Sequence, residues 1–261
     1  MATERREASF TRETLAPLLK VAGQTGVLVG GQALAVWVDY FGIAASWGTA
    51  DDAAITRDTD FLGDRELVER MAKAVPARTL FPPRRALTAL VGQLEIPLPG
   101  DTFLNVDVIR KVVGVDAEMI RKRAVAIEFG QAGETIRFAV MHPVDVLRSR
   151  LANLVKVAQK RTPEGVQQLR LAIEVVRHFI ARVAAEGDGA EGQKRALKAI
   201  EAVAKLASSA AGREARKTFA IDFIDAVPAD RIKSERFRKE RWPRLLVQLG
   251  GKRPGSMTVR K

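Results

Sequence analysis

The periodicity of the apolar residues changes once along this chain, at Met141, and that change limits the folds open to it. Before Met141 the apolar residues come in short runs, several alternating with polar residues and punctuated by Gly and Pro. Such runs read as strands, whose side chains point alternately to two faces. After Met141 they recur three and four apart over long stretches, the spacing of helices that bury one stripe. The pattern predicts an α/β (α+β) chain. A core over 1–141, with a mixed sheet flanked by helices, precedes an all-helical domain over 142–250.

Within the first part, Ser9–Val21 has helical spacing and stops at Gly23, and Val27–Val29 is a short β-branched run ending at Gly30-Gly31. Gln32–Val38 reads as a helix, Ile55–Leu62 as a strand, and Asp64–Val75 as a helix with Asp64 as N-cap. Strand-like pieces follow at Thr79–Phe81, Ala86–Ile96 and Phe103–Ile109, with Pro97 and Pro99 expected to break the last two apart, then a helical turn at Met119–Lys122. Ala124–Phe129 and Thr135–Val140 look like a hairpin. In the second part, helices are expected from Pro143, over Pro163–Ala185, Lys194–Ser208, Arg213–Val227 and Asp230–Leu249. Residues 187–192 read as a linker and 251–261 as a mobile basic tail.

The chain has no cysteine and two histidines, which rules out a disulfide framework and a Cys-based zinc site. A metal would be held mainly by oxygen, which favours hard cations such as Mg2+ or Mn2+. No apolar stretch is long enough for a membrane span and no signal peptide is visible, so a cytoplasmic protein is expected. Lys and Arg number 43 against 31 Asp and Glu, a formal charge of +12. That excess suits polyanionic partners. The bases concentrate near the end, at Arg231, Lys233, Arg236, Arg238, Lys239, Arg241 and Arg244, and mark a nucleic-acid surface or a solvated helix face.

Acids are what carry chemistry here. In a strand, Asp58 and Asp60 stand on the same face while Thr59 and Phe61 face the other way. Two carboxylates that close repel unless a cation lies between them. A third acid, Asp107, sits in the apolar strand Leu104–Ile109, where burial is costly without a partner or a cation. If that strand lies beside the first, three carboxylates share one face, the arrangement that two-metal phosphoryl or nucleotidyl transfer requires. Upstream, a strand ending at Gly30-Gly31 and opening a helix exposes backbone N–H groups to an anion.

These segments, Gly30-Gly31-Gln32-Ala33-Leu34, then Thr56-Arg57-Asp58-Thr59-Asp60-Phe61, then Val106-Asp107-Val108, resemble the nucleotidyltransferase superfamily of DNA polymerase β type. The likeness is greatest to the AbiEii-type abortive-infection toxins and spans roughly Val27–Leu154. It implies that Gly30 and Gly31, with Arg57, bind the nucleotide phosphates. It also implies that Asp58, Asp60 and Asp107 hold the metal, with Asp107 as the candidate general base. His142–Leu151 takes the place of a family helix that carries a lysine; here Arg150 stands at that position, toward the triphosphate. The chain departs from the family at Thr162–Gln168, where only Glu164 is acidic.

The expected function is metal-dependent transfer of a nucleotidyl group from an NTP to RNA, tRNA foremost, as the toxin of a toxin–antitoxin or abortive-infection system with an antitoxin partner. The alternatives are a small hydroxylated acceptor, as in antibiotic nucleotidyltransferases, and a degenerate module that only binds nucleic acid. Trp47 is a candidate for base stacking, His142 for a nucleotide contact or a helix-start residue, and Arg84 and Arg85 for the same groove.

Overall fold

The computed structural model describes residues 6–23, 25–43, 58–131, 133–186 and 190–249. The chain divides into two compact units, Met1–Ser149 and Arg150–Lys261. The sequence places the boundary at Met141, where the sheet ends; the division by contacts falls inside the helix that follows.

The first unit is a mixed α/β structure. Its strands are β1 (Arg6–Glu7), β2 (Val27–Val29), β3 (Asp58–Leu62), β4 (Arg78–Leu80), β5 (Leu90–Leu98), β6 (Thr102–Ile109), β7 (Val125–Gln131) and β8 (Glu134–Val140). They form an eight-stranded sheet in the order β4-β5-β6-β3-β2-β8-β7, with β1 also on β6. β3 and β1 run parallel to β6, and β2 parallel to β8; the other pairings are antiparallel. The helices are α1 (Arg12–Ala22), α2 (Gly30–Tyr40), α3 (Arg65–Ala74), α4 (Ala117–Arg123) and α5 (Pro143–Lys156).

Register explains the core. Leu28 pairs with Phe61 and Val140, Phe61 with Val108, and Leu94 with Val106, so these side chains share one sheet face, and all are fully buried. Burial of each contributes about 1.5–3 kcal/mol. α1 packs on β8 and on α3, and α3 covers β4, β5 and β6. Thr11 and Asp64 start α1 and α3, their side chains accepting from Thr14 N and Leu67 N. Trp37 of α2 donates its indole N–H to the carbonyl of Met141 at 2.8 Å, tying α2 to the end of β8.

Pro97 does not break a strand. It lies within β5, paired in register with Phe103. β4 reaches only Gln93–Glu95, so beyond them the second side of β5 has no strand partner among the described residues, and a missing N–H costs nothing there. The strand expected from Ala86 begins only at Leu90.

The second unit is helical: after the last turns of α5 come α6 (Pro163–Ala185), α7 (Ala190–Ser208), α8 (Ala210–Phe219) and α9 (Trp242–Leu249). α6 has the bounds the sequence predicts. α7 begins at Ala190, so half of the expected 187–192 linker is helix, and 187–189 lie outside the described residues, as do 251–261. The expected helix to Val227 ends at Phe219. Ala220 turns left-handed (φ 50°), and the Asp222 carboxylate accepts from Ile224 N, a local bond that competes with continued helix. The expected helix from Asp230 resolves into a 3-10 turn at Ala229–Arg231, a π-helical turn at Phe237–Arg241 and α9, with Ser234 Oγ accepting from Phe237 N at the restart. No helix among the described residues is long and apolar enough to cross a membrane.

Candidate active site

On β3 the side chains alternate as the sequence predicts: Thr59 and Phe61 are fully buried, Asp60 is half-buried and Asp58 exposed. β6 lies beside β3, with Asp58 opposite Asn105 and Asp60 opposite Asp107. Asp58, Asp60 and Asp107 therefore stand on one face of two adjacent strands. β5 extends that face, with Gln93 opposite Asp107 and Glu95 opposite Asn105. Gln93 donates Nε2 to Asp107 Oδ1 at 3.1 Å, and Asn105 donates Nδ2 to Asp58 Oδ1 at 3.3 Å.

A fourth acid comes from a place the sequence reading passed over. β1 lies along β6 just before β3 begins, with Glu7 opposite Phe103 and Ala8 N donating to Phe103 O at 2.8 Å. This places Glu7 on the same face as Asn105 and Asp107. Burial, a hydrogen bond to Asp58 and the Asp58 charge push the Glu7 carboxyl up to about 7, against an opposing hydrogen bond from Asn105. Asp107 is also raised above the usual carboxylate range, first by burial and then by the charge of Asp58; the amides of Gln93 and Asn105 partly offset this. A two-residue strand carries no periodicity, so nothing in the sequence marked Glu7.

The Gly30-Gly31 turn joins this face from β2. Val29 pairs with Asp60, and Gly30 follows with φ 70° as the first residue of α2, which has no side-chain cap at its N-terminus. A Cβ on Gly30 would lie 2.1 Å from Asp60 Oδ2. Glycine is therefore required twice over, by its backbone conformation and by the carboxylate that fills the space of its missing side chain. The turn expected to receive phosphate closes directly on one of the acids, and both Gly30 and Gly31 are buried.

The other expected site residues fall elsewhere. Arg57 and Trp47 lie outside the described residues. Arg150 opens the second unit, buried, and donates Nη1 to Gln168 of α6 at 3.0 Å. His142 is a helix-start residue: its Nδ1 accepts from Val144 N at 3.2 Å. Beside it Asp145 is fully buried, with Arg123 Nη1 at 3.1 Å and Arg148 Nη1 at 3.8 Å. Arg231, Lys233, Arg236, Arg238, Lys239, Arg241 and Arg244 are all exposed. Three of them are paired locally, Arg231 with Asp230, Arg236 with Glu240 and Lys239 with Glu235, and Arg241 pairs with Glu201 of α7.

Among the described residues, no three His, Cys, Asp or Glu side chains are gathered into a metal-holding cluster. The donor chemistry nonetheless suits a hard cation, since every donor on this face is oxygen or an amide. Among the described residues, Glu7 Oε1 and Asn105 Oδ1 are buried there without a hydrogen-bond partner, acceptors that a hard cation would satisfy. Mg2+ in particular is commonly held by one or two carboxylates, with substrate phosphates and water completing its shell. Comparison of the sequence with protein-family models and with curated proteins finds no match.

Proposed function

We propose that this chain is a nucleotidyltransferase acting on an NTP with Mg2+ or Mn2+. The observation that carries the reading is the register of β3 on β6, with Asp60 opposite Asp107 and Asp58 beside them on one face. Asp60 and Asp107 would hold the cation, with Asp58 in support. A divalent cation there stabilises charge on phosphoryl oxygens and eases ionisation of an attacking hydroxyl. The acceptor oxygen attacks the α-phosphorus, the bond to the bridging oxygen of the β-phosphate breaks, and pyrophosphate leaves. By the resemblance, Asp107 would also receive the hydroxyl proton. Gln93 and Asn105 orient the acids through their amides, and Gly30 seats Asp60.

For the acceptor, the +12 charge and the exposed bases of the second unit favour RNA, and tRNA by the resemblance. On that reading the chain acts in the cytoplasm as a toxin held by an antitoxin. A second reading has its own support: Glu7 and Glu95 extend the acidic face beyond the three aspartates, with Arg78 3.8 Å from Glu95. Such surroundings suit a small hydroxylated acceptor that is itself cationic.

Labelled NTPs, each of the four in turn, with Mg2+ or Mn2+ and either RNA or an aminoglycoside as acceptor, test both. Label should enter one acceptor class and disappear in Asp60→Asn and Asp107→Asn. Transfer that persists in both variants sinks the assignment.

A further inference from the structure

The helices of the second unit enclose a groove of about 430 Å3 whose walls follow one rule. On one side α7 presents Glu201, Lys205 and Ser208; on the other, Arg241, Arg244 and Gln248 run from the π-helical turn into α9. Both sets fall within the spacing i, i+3, i+4, i+7, so each is a single helix face. Ala204 and Leu245 occupy the remaining positions and give the groove an apolar floor. Glu201 is already paired with Arg241. Lys205 and Arg244 are exposed and, among the described residues, have no carboxylate partner. A third base approaches from α8, where Arg216 Nη1 donates to the Gln248 carbonyl at 3.5 Å.

This arrangement divides five of the seven bases of the C-terminal stretch into two kinds. Arg231, Arg236 and Lys239 sit beside acids close by in sequence, so much of their charge is neutralised where they stand. Arg241 and Arg244 instead face α7, where Lys205 adds a charge that the linear run did not contain. The π-helical turn Phe237–Arg241 lies at the head of this face, a backbone irregularity that recurs at functional sites.

We propose that this groove binds a phosphate of a nucleic-acid backbone. Lys205 and Arg244 neutralise the phosphate from opposite walls, and Ser208 and Gln248 offer hydrogen bonds to its oxygens or to the sugar. The apolar floor of Ala204 and Leu245 takes the sugar edge, which free phosphate does not possess. The site bears on the RNA-acceptor reading but does not depend on nucleotidyl transfer, because binding needs neither NTP nor a divalent cation.

The test uses the full chain and a fluorescein-labelled single-stranded RNA, without NTP and with chelator present, titrated across a range of KCl. Each phosphate neutralised on a single strand contributes about 0.7 to the slope of log affinity against log salt. Lys205→Ala and Arg244→Ala should each lower the slope in part, and the double variant by about 0.7, the share of the one phosphate they hold, with thermal melts unchanged. Arg236→Ala and Lys239→Ala should leave the slope where it is. Equal loss in all four single variants would mean diffuse charge rather than a site, and would overturn the proposal. So would an unchanged double variant, or a chain that binds ATP or inorganic phosphate here but no RNA. Asp60→Asn should bind RNA like the wild type while losing transfer, so failure of the catalytic reading and failure of this one are read separately.

Discussion

Replacing Gly30 with alanine tests the core of the site, because the structure makes two separable demands on that residue. The first is backbone: at φ 70°, an L-residue is strained by about 1–2 kcal/mol. The second is space. The new Cβ would meet Asp60 Oδ2 at 2.1 Å, and restoring even a 3.0 Å contact moves that oxygen by about 0.9 Å. Overpacking of this kind costs about 1–3 kcal/mol, and the middle of that range is expected because a carboxylate can rotate only in part. Gly100 supplies the control. It has φ 74° in the turn between β5 and β6, with nothing within 4 Å of where its Cβ would stand. Gly100→Ala should therefore show only the backbone cost, and Gly30→Ala about 2 kcal/mol more. Differential scanning calorimetry would register that difference as roughly 4–8 °C in Tm for a unit of this size. Displacing a reacting group by about 1 Å can cost on the order of 100-fold in rate, so nucleotidyl transfer should fall in Gly30→Ala and persist in Gly100→Ala. Equal melting of the two variants would refute the packing of Asp60 on Gly30, and with it the link between the Gly-Gly turn and the acids.

Three further outcomes follow from the same geometry. Glu7 has a folded pKa of about 7 against an ordinary 4.5, so its contribution to stability is full below 4.5 and is lost as the pH rises through 7. Glu7→Gln should flatten the decline in urea midpoint across that window, and an unchanged profile would place Glu7 away from Asp58. Thr59 is fully buried and its hydroxyl has no partner among the described residues, so Thr59→Val should raise stability by about 1 kcal/mol in urea unfolding without altering transfer; a loss would mean the hydroxyl has a partner. Asp145 is buried between Arg123 and Arg148, and its removal leaves both guanidinium groups, each about two-thirds buried, without their counter-charge. Asp145→Ala should lower stability by about 3 kcal/mol, measured by the same unfolding curves.

Much of this molecule can be derived from local pattern. The alternation around Asp58 and Asp60 assigned their common face, because a strand has a period of two whatever surrounds it. The stripes of α6 and the cap at Asp64 are equally local, and their elements lie where the residues say. The ends of the last helices were not legible: whether the chain continues past Phe219 turns on one left-handed residue and one Asp222 hydrogen bond, which propensity does not weigh. Pro97 misled for a related reason. Whether proline breaks a strand depends on which side lacks a neighbour, and that belongs to the sheet rather than to the strand.

The sequence by itself determined that this chain has a sheet followed by helices, that two aspartates share a face, and that a Gly-Gly turn precedes them. Only the tertiary structure decided that Asp107 lies opposite Asp60, that Glu7 joins them from a two-residue strand, and that Asp60 fills the space over Gly30. It likewise selected Lys205, on a different helix, as the partner of Arg244. The reason is physical: periodicity fixes the direction of a side chain within its own element, whereas charges and close packing act across space, between residues the chain brings together only by folding.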